Sequence, residues 1–153
     1  MQARDVMTSP VITVSPDMSV PAAAALLDSH GFTAAPVVDA EGQVVGIVSE
    51  ADLVRSPVVP DWWLIQRQPD PTVQQIMTST PTTMRSADDL ADVVTAMLDA
   101  RIRSIPIVDD GELVGIVTRR DVLRLVARRE LIFGDVTARR SGGLHPPDTT
   151  PTG

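Results

Sequence analysis

Two short stretches, GIVSEADL at residues 46–53 and GIVTRRDVL at residues 115–123, hold the side chains of this chain best placed to do chemistry. In each, a hydroxyl stands three residues before a carboxylate: Ser49 before Asp52, and Thr118 before Asp121. That spacing is a helix-start signature, in which the hydroxyl accepts from a backbone N–H of the first turn and the carboxylate reaches back to another. The same geometry makes an anion site, because unsatisfied N–H groups and the helix dipole face whatever lies beyond the helix start. A carboxylate at the third helical position can also accept two hydrogen bonds from a vicinal diol such as a ribose. Both roles, cap and ligand holder, remain open on these residues.

The other residue types narrow the field. The chain has no cysteine, which removes disulfides, thiolate metal sites and thiol nucleophiles. All thirteen basic residues are arginines, so neither a P-loop lysine nor a Schiff-base lysine is available. His30 and His145 lie far apart, and no nucleophile-and-base spacing or pair of catalytic carboxylates stands out, so no catalytic and no metal-binding residue is assigned. A net charge of −7 opposes non-specific nucleic-acid binding, which needs a basic face. No apolar run approaches the roughly 20 residues that cross a bilayer, and MQARDVMTSP lacks the layout of a signal peptide. The expectation is a soluble, cytoplasmic protein with no membrane contact.

The charge is uneven. Residues 1–100 carry four arginines against thirteen acids (−9), whereas residues 101–153 carry nine against seven (+2). Arg119, Arg120, Arg124, Arg128 and Arg129 share one amphipathic stretch. Its plain reading is a solvated helix face, except for the arginines nearest the repeated motif.

The elements that must position these residues are written twice. DVMTSPVITVSPDMSV (5–20) parallels QIMTSTPTTMRSADDL (75–90) with one residue inserted near Thr80. HGFTAAPVVDAEGQVVGIVSEADL (30–53) parallels ARIRSIPIVDDGELVGIVTRRDVL (100–123) with one residue deleted before Gly111. Within each half a short strand (VITV, TTM) precedes a helix, capped by Ser19 with Pro21 in its first turn, or by Ser86 with Asp88 and Asp89 near its positive end. Two β-branched runs follow, joined by a turn at Gly42 or Gly111, and then a helix starting at Ser49 or Thr118. The order is β-α-β-β-α, twice, an α/β chain of the α+β type whose small sheets cover their apolar faces by packing on one another. The expected division is a first unit at 1–56, a proline-rich linker at 57–71 anchored by Trp62 and Trp63, a second unit at 72–133, and a disordered tail at 134–153.

Two such units, each with P-h-V-D (h apolar) followed by G-I-V-[ST]-x-x-D, resemble a tandem pair of CBS domains, the cystathionine β-synthase-type regulatory unit known as a Bateman module. The resemblance covers roughly residues 3–130. It implies a pseudo-twofold pair with two clefts that take adenosine-containing ligands such as AMP, ADP, ATP or S-adenosylmethionine, and no cofactor beyond such a ligand. By position, Asp52 and Asp121 would hold ribose hydroxyls, and Ser49 and Thr118 would bond ribose or phosphate. Ile47 and Ile116, with the segments around Thr13 and Thr83, would flank the base. Thr33 and Ala34 in one half, and Arg103 and Ser104 in the other, would line the cleft near base or phosphate.

The halves differ in charge at matched positions: Arg103 and Arg119 stand where the first half has Thr33 and Glu50. Arginine suits phosphate and glutamate opposes it. Unequal sites are therefore expected, the Asp121 cleft being the one for a phosphorylated ligand, with Arg103 free to serve either. The resemblance also implies a homodimer, with the helices after Ser19 and Ser86 as faces, and an output through some effector protein. Two alternatives stand beside this: a structural or oligomerisation module with no ligand, and a binder of S-adenosylmethionine or NAD.

Overall fold

The computed structural model describes residues 1–56 and 69–130. The expected linker, with both tryptophans, and the expected tail therefore fall wholly or mostly outside the described residues.

The first unit runs α1 (Val20–His30), β1 (Ala34–Val38), β2 (Val44–Ser49) and α2 (Glu50–Arg55). After α3 (Val73–Ile76) and β3 (Thr78–Ser79), the second runs α4 (Leu90–Ala100), β4 (Ser104–Asp109), β5 (Glu112–Thr118) and α5 (Arg119–Ala127). Helix α1 begins where expected: the Ser19 hydroxyl accepts from Ala22 N–H, and Pro21 sits in the first turn, where its missing N–H costs nothing. It ends at Gly31, whose φ of 66° closes the helix in the left-handed region that glycine enters without strain.

The second unit corrects the expectation at Ser86. The cap of α4 is Asp89, which accepts from Ala91 N–H, and the helix starts only at Leu90. Ser86 instead donates both its hydroxyl and its N–H to the Asp109 carboxylate at the end of β4. A second correction concerns the first strand of each unit. VITV and TTM do not form strands; each makes a single parallel bridge, Val14 to Val37 and Met84 to Ile107. Proline borders these segments (Pro10 and Pro16 about the first, Pro81 before the second), and its missing N–H keeps a ladder from extending past them.

The hairpins β1–β2 and β4–β5 are antiparallel and carry a bulge at the same place, between Val37 and Val38 and between Ile107 and Val108. Their turns differ by the one residue seen in the sequence. Asp110 and Gly111 both have positive φ (50° and 79°), the signature of a two-residue hairpin turn, whereas the longer first turn is held by the Asp39 carboxylate accepting from Glu41 N–H and Gln43 N–H.

The two units exchange their leading segments. The Ala3–Asp5 turn, which opens the first unit, packs on the second: Ala3 N–H donates to Asp88 O, Arg4 N–H to Ser86 O, and Met1 O accepts from Leu90. Helix α3, which opens the second unit, does the same to the first through Val73 N–H to Met18 O, Gln74 N–H to Pro16 O, and Val20 N–H to Pro71 O. Ala3 is fully buried in the core built by α4, β4 and β5, and Val73 in the core built by α1, β1 and β2. The exchange continues into the sheets. Thr78 and Ser79 pair with Ile47 and Gly46, and Thr8 pairs with Ile116 through reciprocal bonds of 2.9 and 3.1 Å.

This crossing explains the glycine in each GIV motif. A Cβ on Gly115 would strike the Met7 side chain, and one on Gly46 would strike Met77 and lie 2.9 Å from the Thr78 carbonyl oxygen. The expected outcome differs between the two. Gly115→Ala destabilises by roughly 1–3 kcal/mol, and Met7→Ala in the same chain recovers part of that loss because the obstruction is side chain. Gly46→Ala is not rescued by Met77→Ala, because a backbone carbonyl remains in the way. Urea unfolding of the four variants measures this, and equal rescue at both sites would contradict it.

At Asp109 the two bonds from Ser86, the hydroxyl's first, hold the carboxyl below the usual carboxylate range. A folded pKa lowered in this way contributes stability above the ordinary carboxylate range, and that contribution is lost as pH falls through the lowered value. Ser86→Ala should return the Asp109 titration toward its ordinary value by NMR; an unmoved titration would show that the Ser86 bonds are not its cause.

Candidate ligand cleft

Both helix starts form as the spacing requires. In α2 the Asp52 Oδ2 accepts from Ser49 N–H at 2.9 Å, while Ser49 Oγ accepts from Asp52 N–H at 3.2 Å. In α5 the Asp121 Oδ2 accepts from both the Thr118 N–H (2.9 Å) and the Thr118 hydroxyl (3.0 Å). The two carboxylates then part company. Asp121 is only 6% exposed, and its other oxygen, Oδ1, has two long contacts alone among the described residues: the Thr8 hydroxyl at 3.5 Å and the Arg124 guanidinium at 3.8 Å. One oxygen fixes the cap, and the other is available to accept.

Asp121 lines a cleft of about 930 Å³. The second unit supplies one wall: Ile116 and Thr118 from β5, then Arg119, Arg120, Asp121 and Arg124 from α5. The first unit supplies the other, through Thr8, Pro10, Val11 and Ile12, through Phe32 and Thr33 in the turn that follows α1, and through Ala34 at the start of β1. Arg103 joins them at the entry to β4, beside α5, since Arg119 N–H donates to Arg103 O at 2.9 Å. The fold positions these groups through the exchange already described. Pairing with Ile116 brings Thr8 within reach of Asp121, and the strand-to-helix corner turns Arg119 and Arg120 outward.

Of the residues singled out in the sequence, Thr33, Ala34, Arg103, Ile116, Thr118, Arg119 and Asp121 come together here. Arg103 thus lines the same cleft as Asp121. The remaining residues lie elsewhere. Ser49 and Asp52 form the cap of α2, and Ile47 is half-buried in β2 opposite Pro36 and Thr78. Thr13 is exposed, because its neighbour Val14 points into the core and successive residues of an extended segment face opposite ways; Val11 and Ile12 reach the cleft in its stead. Ser104 is buried at the start of β4. Thr83 lines a separate, smaller pocket of about 460 Å³ with Arg85 and Asp88.

Three kinds of cleft residue went unnoticed in the sequence. Thr8 lies in the repeated M-T-S, a signal that could have marked it. Phe32, 41% exposed with its ring stacked on His30 at 5.5 Å, immediately precedes Thr33. The apolar wing formed by Val94, Met97 and Leu98 of α4 with Val122, Leu123 and Val126 of α5 has no local signal, because it exists only once two helices pack.

Comparison with known proteins agrees with this architecture. The sequence pattern described as CBS domain matches residues 3–58 and 73–128. The CBS domain-containing protein CBSX2, chloroplastic, of Arabidopsis thaliana is 34% identical over 134 residues, covering 72% of this chain and 56% of that protein. The L-aspartate semialdehyde sulfurtransferase of Methanocaldococcus jannaschii is 32% identical over 123 residues, covering 80% of this chain but 22% of the enzyme. The chain thus spans less than two thirds of either relative. Among solved structures, CBSX2 in complex with AMP superposes with a TM-score of 0.72 at 32% identity, covering 85% of this chain and 98% of that one. A CBS domain pair in complex with 5′-methylthioadenosine and S-adenosyl-L-methionine also gives 0.72, at 28% identity, covering 84% and 98%. With both of its halves matched and its two hairpin-and-helix units packed as a pseudo-twofold pair, the chain belongs to the CBS-domain family as a tandem CBS pair.

Proposed function

We propose that the chain is a regulatory ligand-binding module whose Asp121 cleft takes a phosphorylated adenosine of the AMP, ADP or ATP class. The observation that carries the reading is the divided carboxylate of Asp121, a residue lining a cleft walled by both units: Oδ2 is spent on the cap, while Oδ1 has only the Thr8 hydroxyl and the Arg124 guanidinium as partners among the described residues. A ribose diol is the natural donor pair for that oxygen, with apolar Val11, Ile12 and Phe32 close by for a base and arginines for phosphate. The relatives solved with AMP and with S-adenosyl-L-methionine support the adenosine part. The arginines favour a nucleotide over cationic S-adenosylmethionine.

Because the cleft has one wall from each unit, a ligand that prefers one relative placement of the units shifts that placement, and this is how binding becomes signal. Output passes to a partner protein or through a homodimer. Among the described residues the most exposed of the large apolar side chains are Val54 (83%) on α2 and Leu123 (67%) on α5, at matched positions, which supports a dimer face on these helices beside the one expected on α1 and α4.

The second reading, a structural module without a ligand, draws on one fact: capping alone accounts for both aspartates. The two readings separate in calorimetric titrations with AMP, ADP, ATP, S-adenosylmethionine and NAD. Asp121→Ala should abolish nucleotide binding while costing about 1 kcal/mol of stability, and Asp52→Ala should cost about the same stability and leave binding at the Asp121 cleft. A wild-type chain silent to every compound would establish the structural reading, as would nucleotide affinity untouched by Asp121→Ala.

A further inference from the structure

We infer that Met7 and Met77 are a matched pair of oxidation sites, and that converting their thioethers to sulfoxides with a peroxide loosens the hold of each unit on the other. The inference draws on the crossing of the leading segments and is independent of which ligand the cleft takes. The chain holds six methionines and no cysteine, so thioethers are its only oxidisable sulfur. They are unequally placed. Met97 is 3% exposed within a core, and Met1 is 55% exposed. Met18 and Met84 are half-buried, each against the core of its own unit. Met7 and Met77 are also half-buried, but each packs against the core of the opposite unit while keeping part of its surface open to a small oxidant.

The sulfur is the atom that makes the close approach. Met7 Sδ lies where a Cβ on Gly115 would stand, and Met77 Sδ lies 2.5 Å from the corresponding point on Gly46. In the oxidation a sulfur lone pair attacks one peroxide oxygen, the S–O bond forms as the O–O bond breaks, and the departing hydroxide takes the remaining proton to leave water. The thioether is oxidised by two electrons and the peroxide reduced by two. The product carries an added oxygen that demands a hydrogen-bond donor, in a place filled by apolar contact. The N–H groups of the crossing are already committed: Met7 to Ala3 O, Thr8 to Ile116 O, Ile116 to Thr8 O, and Met77 to Val73 O. The sulfoxide is therefore satisfied only by turning to water, which lifts the side chain off its glycine. Thr8 follows Met7 directly and lines the Asp121 cleft, so a change at Met7 reaches the cleft wall.

The test treats the folded chain with hydrogen peroxide and follows each methionine by peptide mass spectrometry, with urea unfolding and amide hydrogen exchange on the product. Met7 and Met77 should each take up one oxygen while Met97 stays reduced. The oxidised chain should unfold at lower urea, and its Thr8 and Ile116 amides should exchange about tenfold or more faster. Methionine sulfoxide reductases should reverse both changes. The double variant Met7→Leu/Met77→Leu, a swap that keeps volume, should show neither change in peroxide, whereas Met18→Leu/Met84→Leu should respond as wild type. Should the first variant fail to fold, partly oxidised wild type decides in its place: fast exchange must rise with oxygen at Met7 and Met77 and not with oxygen elsewhere. Oxidation of Met7 and Met77 no faster than that of Met97 overturns the inference, because only the unfolded chain would then be reacting. So does unchanged exchange after full oxidation at both sites, or an equal peroxide response from the Met7→Leu/Met77→Leu variant.

Discussion

The structure depends on a close crossing of backbones. Met7 lies over Gly115 and Met77 over Gly46, and at each place the absence of a side chain lets one unit's leading segment reach the other unit's sheet. Without these approaches Ala3 and Val73 leave the opposite cores, Thr8 cannot pair with Ile116, and Thr78 cannot pair with Ile47. Each unit alone has one hairpin and two short helices about it, too little apolar surface to fold firmly. The exchange joins two marginal cores into one cooperative structure, so that stability and the relative placement of the units are set by the same contacts.

The cleft inherits its geometry from that arrangement and its chemistry from the helix starts. The capping box is a local, inexpensive way of holding a carboxylate rigid at a helix start, and it forms in both units. What distinguishes the Asp121 corner is its surroundings. Thr8 arrives from the exchanged segment, Arg103 from the strand entry, and the arginines from the outer face of α5. A generic helix start becomes a chemically particular place because segments distant in sequence converge on it.

The helix-hairpin-helix order of each unit, both capping boxes, the Ser19 cap and the glycine turns were legible in the sequence because each is decided within a few residues. Ser86 was misjudged because Asp89, nearer the helix, competes for the same role, and the Asp109 carboxylate captures Ser86 across 23 residues. The strands in VITV and TTM were overread, since β-branched composition suggests extension but flanking prolines leave only one bridge apiece. The crossing itself was invisible. M-T-S recurs near the start of both halves, yet repetition alone implies two self-contained units, and only the space above Gly46 and Gly115 shows that each segment belongs to its neighbour. Arg120 and Arg124 were read as a solvated face for the same reason: periodicity places them on a surface without saying that the surface is the wall of a cleft.

The reciprocal exchange has a further meaning in terms of symmetry. Met1 to Leu90 and Pro71 to Val20, Ala3 to Asp88 and Val73 to Met18 are the mutual pairings that two identical subunits make across a twofold axis. In an association of separate identical chains, every residue at one cleft would be obliged to appear at the other. Joining the two copies covalently keeps the geometry and removes that obligation. Arg119 can face Glu50, Arg103 can face Thr33, and Phe32 can face Ile102, each pair diverging without disturbing the axis they share.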